Sequence, residues 1–398
     1  MKDASRKAFE DKFVSTTSFF VPGALGDFNP EINEQVLLEG LLDSLSGTSF
    51  RTIAIRRLAK ADKWQLISNL HKAVRRGYTE IAVQSALSLL EVDADYLLRR
   101  LPVIALEDVS FGNLRICALI LACAGKRRLL EKVGMQHAIA LLIAELAGSP
   151  KSRTACDLLS LTEYHRDAAS TTALLAGRPT GDLVRIAHDN GEPLFARLVA
   201  LRLLAGYRKF ERGIYRVLSS ASPRELEKFC EVSETPPIIS FLVLRGQNRT
   251  HHLNVALPLV YEMIKRSESV RIDLDGLPSY STIGGVMSCA FDMYTLIGKR
   301  AFPLFAQKCK PLSEFFLSHP ALNPTKVLGF TAFHVEGSVL DAKLAFAGSR
   351  DLLTEVEAAE MACHGIANHE TAAEVRRLVL DNLSDLNKAR KAAYASSK

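Results

Sequence analysis

Apolar residues recur every three or four positions over most of this chain, a spacing that places them on one face of an α-helix. One such stripe is formed by Trp64, Ile67, Leu70 and Val74. The stretch Leu114–Ala124 is almost wholly apolar, so we expect a helix that is buried on all sides. The pattern predicts an all-α protein, a multi-helix bundle.

Breaks in this pattern predict the remaining local structure. Pro102 lies inside an apolar run, where it predicts a kink or a helix junction. Alternating charges at Arg271, Asp273 and Asp275, followed by turn residues, predict a short strand or an extended segment near 270–285. Gly213–Ser219 is interpreted as a further short helix. The predicted organisation is an N-terminal arm (1–30), a helical domain (31–150), a second helical region (151–310), and C-terminal helices with a basic tail (311–398).

Composition agrees with helices, because Leu and Ala are abundant while aromatic residues make up only 7% of the 398 positions. The net charge of +6 is mild for a chain of this length, so any electrostatic role depends on how the charges are clustered. Seven cysteines at irregular spacing contain no CxxC pair, which favours reduced thiols over disulfides or a zinc site.

The location that we expect is cytoplasmic, without membrane contact. The first thirteen residues are charged and lack the apolar core of a secretory leader. The longest apolar stretches also fall short of the roughly 20 residues that span a bilayer.

Motifs for common chemistries are absent from the sequence. It contains no GxxxxGK[ST], GxSxG, HExxH or kinase signature, so we expect no catalysis and no cofactor. His251 and His252 are interpreted as a turn or cap, because adjacent side chains rarely share a metal. We also expect no metal at Cys363, His364 and His369.

Basic residues are clustered in the first third of the chain. The candidate nucleic-acid-binding residues are Arg56, Arg57, Lys60, Lys72, Arg75, Arg76, Arg99, Arg100, Lys126, Arg127 and Arg128. On one interpretation, these residues lie on separate solvent-exposed faces and offset the partial negative charge at helix C-termini. On the other, they form one surface that contacts phosphate groups along a nucleic acid. Four clusters within about 75 residues favour a shared surface, with the arginines facing outward.

Two adjacent carboxylates, Glu107 and Asp108, follow an apolar run. We favour a structural pair that is bonded to backbone N–H groups or to an arginine. The alternative is a metal or catalytic pair. If Asp292 converged with them beside basic residues, metal-dependent phosphodiester chemistry would be an option.

The segment from Trp64 to Ala124 carries two linked motifs. The first is Ser68, His71, Lys72 and Arg75, and the second is Arg99, Arg100, Leu101, Ala105, Glu107, Asp108 and Val109. Together they resemble the helical C-terminal region of the RarA/MgsA family of AAA+ ATPases, relatives of the clamp loaders and of the eukaryotic Werner-helicase-interacting ATPase. Ser110 stands where the family pattern has glycine.

A second segment, Leu277–Phe302, is similar to an element found late in the same family, D-x-[HY]-T-x-x-G-[KR]. The matching residues here are Asp292, Tyr294, Thr295, Gly298 and Lys299. The resemblance therefore implies a bundle related to the clamp-loader collar.

The resemblance implies a domain that self-associates and acts on DNA at forks or single-strand/duplex junctions. Its implied partners are replication or repair proteins, including an ATPase in trans. Only about 60 residues precede Trp64, too few for the ATPase core, so we expect a stand-alone relative of the helical part, of the sort a phage carries. The function predicted is a non-catalytic DNA replication or repair accessory. A helical scaffold for protein partners alone is the first alternative, and a metal-dependent nuclease-like enzyme is the second.

Overall fold

The computed structural model describes residues 34–47, 58, 61–209, 215–217, 223–274 and 276–397. Nineteen α-helices lie in these ranges, which confirms the all-α prediction. The predicted arm 1–30 and the candidates Arg56, Arg57 and Lys60 lie outside the described residues.

The first ten helices are α1 (Glu34–Gly47), α2 (Lys63–Arg75), α3 (Thr79–Ile104), α4 (Leu114–Cys123), α5 (Arg127–Val133), α6 (Met135–Gly148), α7 (Thr154–Tyr164), α8 (Ala168–Leu175), α9 (Thr180–His188) and α10 (Leu194–Leu204). The remaining nine are α11 (Pro223–Val232), α12 (Pro237–Arg245), α13 (Leu257–Lys265), α14 (Leu296–Lys308), α15 (Lys310–Ser318), α16 (Pro324–Ala332), α17 (Ser349–Cys363), α18 (His369–Asp381) and α19 (Leu383–Ala395).

Three short antiparallel strand pairs accompany the helices in the described ranges. They are β1 (Tyr207–Lys209) with β2 (Tyr215–Val217), β3 (Val270–Asp273) with β6 (Lys343–Phe346), and β4 (Thr282–Ile283) with β5 (Val286–Met287). Strands β3 and β4 confirm the extended structure predicted near 270–285. The helix predicted over Gly213–Ser219 is wrong, since β2 pairs there with β1, and Tyr and Val favour strands.

Helix α2 runs through the middle of the bundle. It begins at Asp62, whose carboxylate accepts the backbone N–H groups of Trp64 and Gln65, both at 2.9 Å. Every residue from Gln65 to Arg75 is buried. Its polar side chains therefore need hydrogen-bond partners inside the protein. Of the four residues in the predicted apolar stripe, only Trp64 is largely exposed.

Helix α3 is kinked at Asp93 rather than at Pro102. Asp93 has non-helical backbone angles (φ −159°, ψ 83°), and its carboxylate accepts the N–H of Tyr96 at 2.9 Å. It thus caps the second half of the helix. Pro102 lies within that second half, where the backbone stays helical to Ile104.

A π-helical turn, Ala105–Val109, follows α3 and carries Glu107 and Asp108. It ends at Ser110, which has φ 44° and ψ −120°, a conformation that favours glycine. The Ser110 hydroxyl is buried and has no hydrogen-bond partner among the described residues. Any side chain at position 110 is therefore strained.

The apolar core is a single cluster whose members come from all three segments proposed as domains, so the boundaries at 150 and 310 stay predictions. Helix α4 is largely buried, as its composition predicts. All seven cysteines are free. Among the described residues, no helix combines the length and apolarity that a membrane crossing needs.

Replacing Ser110 with glycine is expected to stabilise the protein. Glycine removes both the strain of the positive φ angle and the buried hydroxyl that has no partner. It also increases the entropy of the unfolded chain, which offsets part of this effect. The net increase in the free energy of unfolding should be about 1 kcal/mol. Urea unfolding followed by circular dichroism measures the change. Ser110→Ala is the control, because it removes the hydroxyl but keeps the strain. A glycine variant no more stable than the alanine variant would contradict the assignment of strain to this position.

Candidate functional site

Four charged side chains form a largely buried polar cluster with many hydrogen bonds. Arg75 donates from Nε to Asp108 Oδ1 (2.6 Å), from Nη2 to Glu107 Oε1 (2.8 Å) and from Nη1 to the Gly337 carbonyl (2.8 Å). Arg153 donates from Nη1 to Asp108 Oδ1 (2.8 Å) and Glu107 Oε1 (3.0 Å). We call these four residues, with His71, the ionic network.

The π-helical turn positions the two carboxylates side by side. The Asp108 side chain is fully buried, whereas the Glu107 side chain is 18% exposed to solvent. Burial raises the pKa of Asp108, but Arg75, His71 and Arg153 outweigh it and hold that pKa well below its usual range. Burial and Asp108 raise the pKa of Glu107, yet His71, Arg153 and Arg75 bring it down to about 2. Both carboxylates are therefore ionised at neutral pH.

His71 connects the network to Arg100. Its Nδ1 lies 2.7 Å from Asp108 Oδ2, and because that carboxylate can only accept, Nδ1–H is the donor. Its Nε2 then accepts from Arg100 Nη2 at 3.2 Å. Burial lowers the pKa of His71, against the opposing effect of Asp108, in keeping with a neutral ring.

The second resembling segment joins the first through Lys72. The Lys72 ammonium contacts both the Asp292 carboxylate and Ser68 Oγ (3.0 Å to the latter), and Ser68 Oγ also donates to the Ala290 carbonyl at 2.7 Å. Residues more than 200 positions apart thus meet in one buried pair. The remaining family-motif residues build the start of α14.

Thr295 caps α14 by accepting the Gly298 N–H on Oγ1 at 3.1 Å. Asp292 Oδ1 accepts the Tyr294 N–H at 3.0 Å, which fixes the preceding turn. Gly298 lies so close to this turn that a Cβ there would overlap the Asp292 carbonyl. Lys299 is exposed and has no bonded partner among the described side chains.

Phe333 lies beside three buried cations. Its ring centroid is 5.5 Å from the Arg75 guanidinium, 5.7 Å from that of Arg153 and 5.8 Å from the Lys72 ammonium. A further buried pair links Arg390 to Glu336, whose backbone carbonyl accepts from Arg76 Nη2 at 2.7 Å. These interactions tie α2 and α19 to the second π-helical turn, Phe333–Gly337.

His71, Glu107 and Asp108 are grouped closely enough to hold a metal ion. Their donor atoms are already used, however. Both oxygens of Asp108, Oε1 of Glu107 and both ring nitrogens of His71 have protein partners. Two guanidinium groups would also repel a cation. The residues fit an ion-pair network and do not fit a metal site, and Asp292 is paired separately with Lys72.

The candidate basic residues divide into two groups. Lys72, Arg75 and Arg76 are buried and bonded internally, so the expectation that they face outward in a common patch is wrong. The reason is the central position of α2, where no face meets solvent. Arg99, Arg127 and Arg128 are exposed, while Arg100 and Lys126 are partly exposed.

Several residues in or near the ionic network carry no signal in the sequence. Arg153, Phe333, Glu336 and Arg390 lie in ordinary helical or loop segments, and only their distant partners reveal their role. The bonds from Arg75 and Arg153 to the Glu107–Asp108 pair are those expected of a structural pair of carboxylates. A surface cleft of about 520 Å³ lies elsewhere, beside His165 and Phe195, and no predicted site residue lines it.

Comparison of the chain with protein-family models, with curated proteins and with solved structures finds no match in any of the three.

Asp108→Asn is expected to destabilise the protein by about 3–5 kcal/mol at pH 7, because it leaves two buried guanidinium groups without full compensation. Urea unfolding measures the loss. In the wild type, carboxylates with depressed pKa values contribute stability above their unfolded pKa. That contribution falls as the pH drops from about 4.5 toward the Glu107 value of about 2. The variant should show a shallower decline.

Asp95→Asn is the matched control. Asp95 pairs with Arg127 at 2.5 Å, but its side chain is 62% exposed, so the change should stay within about 1 kcal/mol. Equal losses of stability in the two variants would contradict a special role for the buried network.

Gly298→Ala is expected to cost about 2–3 kcal/mol, because the new methyl group would displace the Asp292 turn. Gly148→Ala is the control, since no atom lies within 4 Å of a Cβ there and alanine favours the helix. Thermal unfolding should show a lower midpoint for the first variant only. A neutral Gly298→Ala would contradict the close packing of α14 on this turn.

Proposed function

We propose that this protein is a non-catalytic accessory of DNA replication or repair, which binds DNA through exposed arginines on α3 and α5. The observation that carries the proposal is the meeting of the two resembling segments at Lys72 and Asp292. The sequence resemblance alone does not require these segments to touch. A helical domain of the RarA/MgsA type would bring them together as one unit.

The surface that we assign to DNA consists of Arg99, Arg127 and Arg128, called here the arginine surface. Arg127 Nη1 contacts Asp95 Oδ1 at 2.5 Å, and Arg99 follows Asp95 by one turn of α3. This brings Arg99 and Arg127 to one side of the protein, and Arg128 is the next residue of α5. Arg127 is also paired with Glu131 at 2.8 Å, whereas Arg99 and Arg128 have no ion-pair partner among the described residues.

A surface of this size can bind few phosphates, so binding should be moderate and salt-dependent. It suits recognition of DNA shape or of a junction better than reading of a base sequence. The buried arginines of α2 contribute to the proposed function only by holding the fold. Self-association, which the resemblance implies, would place several arginine surfaces on one DNA molecule and raise the apparent affinity.

Fluorescence anisotropy with forked, single-stranded and duplex oligonucleotides tests the proposal. Wild-type protein should bind at low salt, with log Kd rising linearly with log salt concentration. Arg99→Gln/Arg128→Gln should weaken binding to every oligonucleotide and lower the salt slope by about 1–2, because each arginine that neutralises a phosphate contributes about one to that slope.

Arg185→Gln/Arg350→Gln is the matched control, because it removes the same charge from two exposed positions on α9 and α17. It should leave the salt slope unchanged. Wild-type protein that fails to bind any of the three DNAs at low salt, or that binds with no salt dependence, would refute the proposed function. Equal effects of the two double variants would instead refute the assignment to the arginine surface.

A further inference from the structure

Arg100 differs from the arginines of the ionic network in the nature of its partners. It donates from Nη2 to His71 Nε2 at 3.2 Å and from Nη1 toward His251 Nδ1 at 3.5 Å. No carboxylate pairs with it in the described part of the chain. Its Nε is buried and has no hydrogen-bond partner there either. The guanidinium is therefore held by two imidazole rings and has no carboxylate in ion-pair contact among the described residues.

The carboxylates near Arg100 are engaged with other cations. Arg75 and Arg153 are ion-paired with Glu107 and Asp108, and the Asp157 carboxylate also acts electrostatically on Arg153. His71 is neutral in the tautomer that its two hydrogen bonds require. Arg100 is thus a partly buried cation with no carboxylate in ion-pair contact among the described residues. Such a charge is costly unless an anion approaches it.

The turn that presents His251 is held in place by its neighbours. His251 and His252 have φ values of 51° and 72°, a left-handed conformation that is uncommon outside glycine. Thr250 Oγ1 bonds Asn254 Oδ1 at 2.9 Å, and the His252 ring stacks on Tyr207 with centroids 3.7 Å apart. Strain of this kind persists only where surrounding groups fix it. The exposed His251 ring is thereby kept beside Arg100.

We infer that Arg100, with His251 beside it, binds a phosphate group from solution. A guanidinium presents its donors in a planar fork that matches two oxygens of a phosphate. The exposed His251 supplies a further donor. The group is either a free phosphate monoester or a phosphodiester of a nucleic acid. This site is separate from the arginine surface and does not rest on the proposed function.

Thermal unfolding at constant ionic strength tests the inference. Orthophosphate should raise the melting temperature of wild-type protein above that in chloride, because an anion that binds the folded state stabilises it. Arg100→Gln should weaken the fitted phosphate affinity by at least about tenfold, since it removes a charged hydrogen-bond donor. Glutamine can still donate to His71, so its melting temperature without phosphate should stay within about 3 °C of wild type.

Arg185→Gln is the matched control, because it removes the same charge from an exposed position on α9 that belongs to neither site, and it should keep the phosphate response. His251→Asn gives a second variant, since asparagine tolerates the left-handed backbone while it lacks the imidazole. It should weaken the phosphate response even if Arg100→Gln folds poorly. Wild-type protein that responds equally to phosphate and chloride would overturn the inference. So would Arg100→Gln and His251→Asn variants that keep the full response.

The source of the phosphate is distinguished by two further probes, thymidine 5′-monophosphate and the dinucleotide dTpdT. Protection by the monophosphate but not by dTpdT would assign the site to a phosphate monoester. Protection by both, lost in Arg100→Gln, would assign it to a nucleic-acid backbone. Either result supports the site, whereas protection by neither would overturn it.

Discussion

The burial of the Asp108 carboxylate is the constraint on which the rest of this structure depends. A charge with no exposed surface is tolerated only when cations and hydrogen-bond donors surround it. Arg75 comes from α2, Arg153 from the segment before α7, and His71 from the preceding turn of α2. The cations and donors that this one carboxylate requires come from three elements. Their contacts with Asp108 therefore fix the relative positions of α2, the first π-helical turn and α7.

Much of the architecture can be predicted from the sequence because it depends on local patterns. The helical spacing of apolar residues predicts the all-α class, and alternating charges predict an extended segment where β3 forms. The Glu107–Asp108 pair is expected to bond to backbone N–H groups or to an arginine, because two carboxylates after an apolar run need donors. A helix stop, a cap or a buried run is decided by residues within a few positions of it.

The direction of the basic side chains cannot be predicted in this way. Arg75 and Arg76 look like a solvated pair in the sequence, yet their partners include the carbonyls of Gly337 and Glu336, more than 250 positions away. The apolar stripe predicted for α2 covers one face, whereas the helix is buried on every face. The position of the kink in α3 could not be predicted either. The proline at position 102 is the more obvious signal, but the helix bends at Asp93, where the side chain caps the second half of the helix.

Buried ion pairs contribute more to the choice of one structure than to net stability, since desolvation offsets most of their attraction. In this chain the two motif segments contribute most of the ionic network and the Lys72–Asp292 pair, together with the Thr295 cap and the close approach at Gly298. These residues therefore serve to specify the fold. The binding that we propose depends instead on exposed or partly exposed cations. Arg100 lies between the two groups, because it bonds to the network through His71 while no carboxylate pairs with it among the described residues.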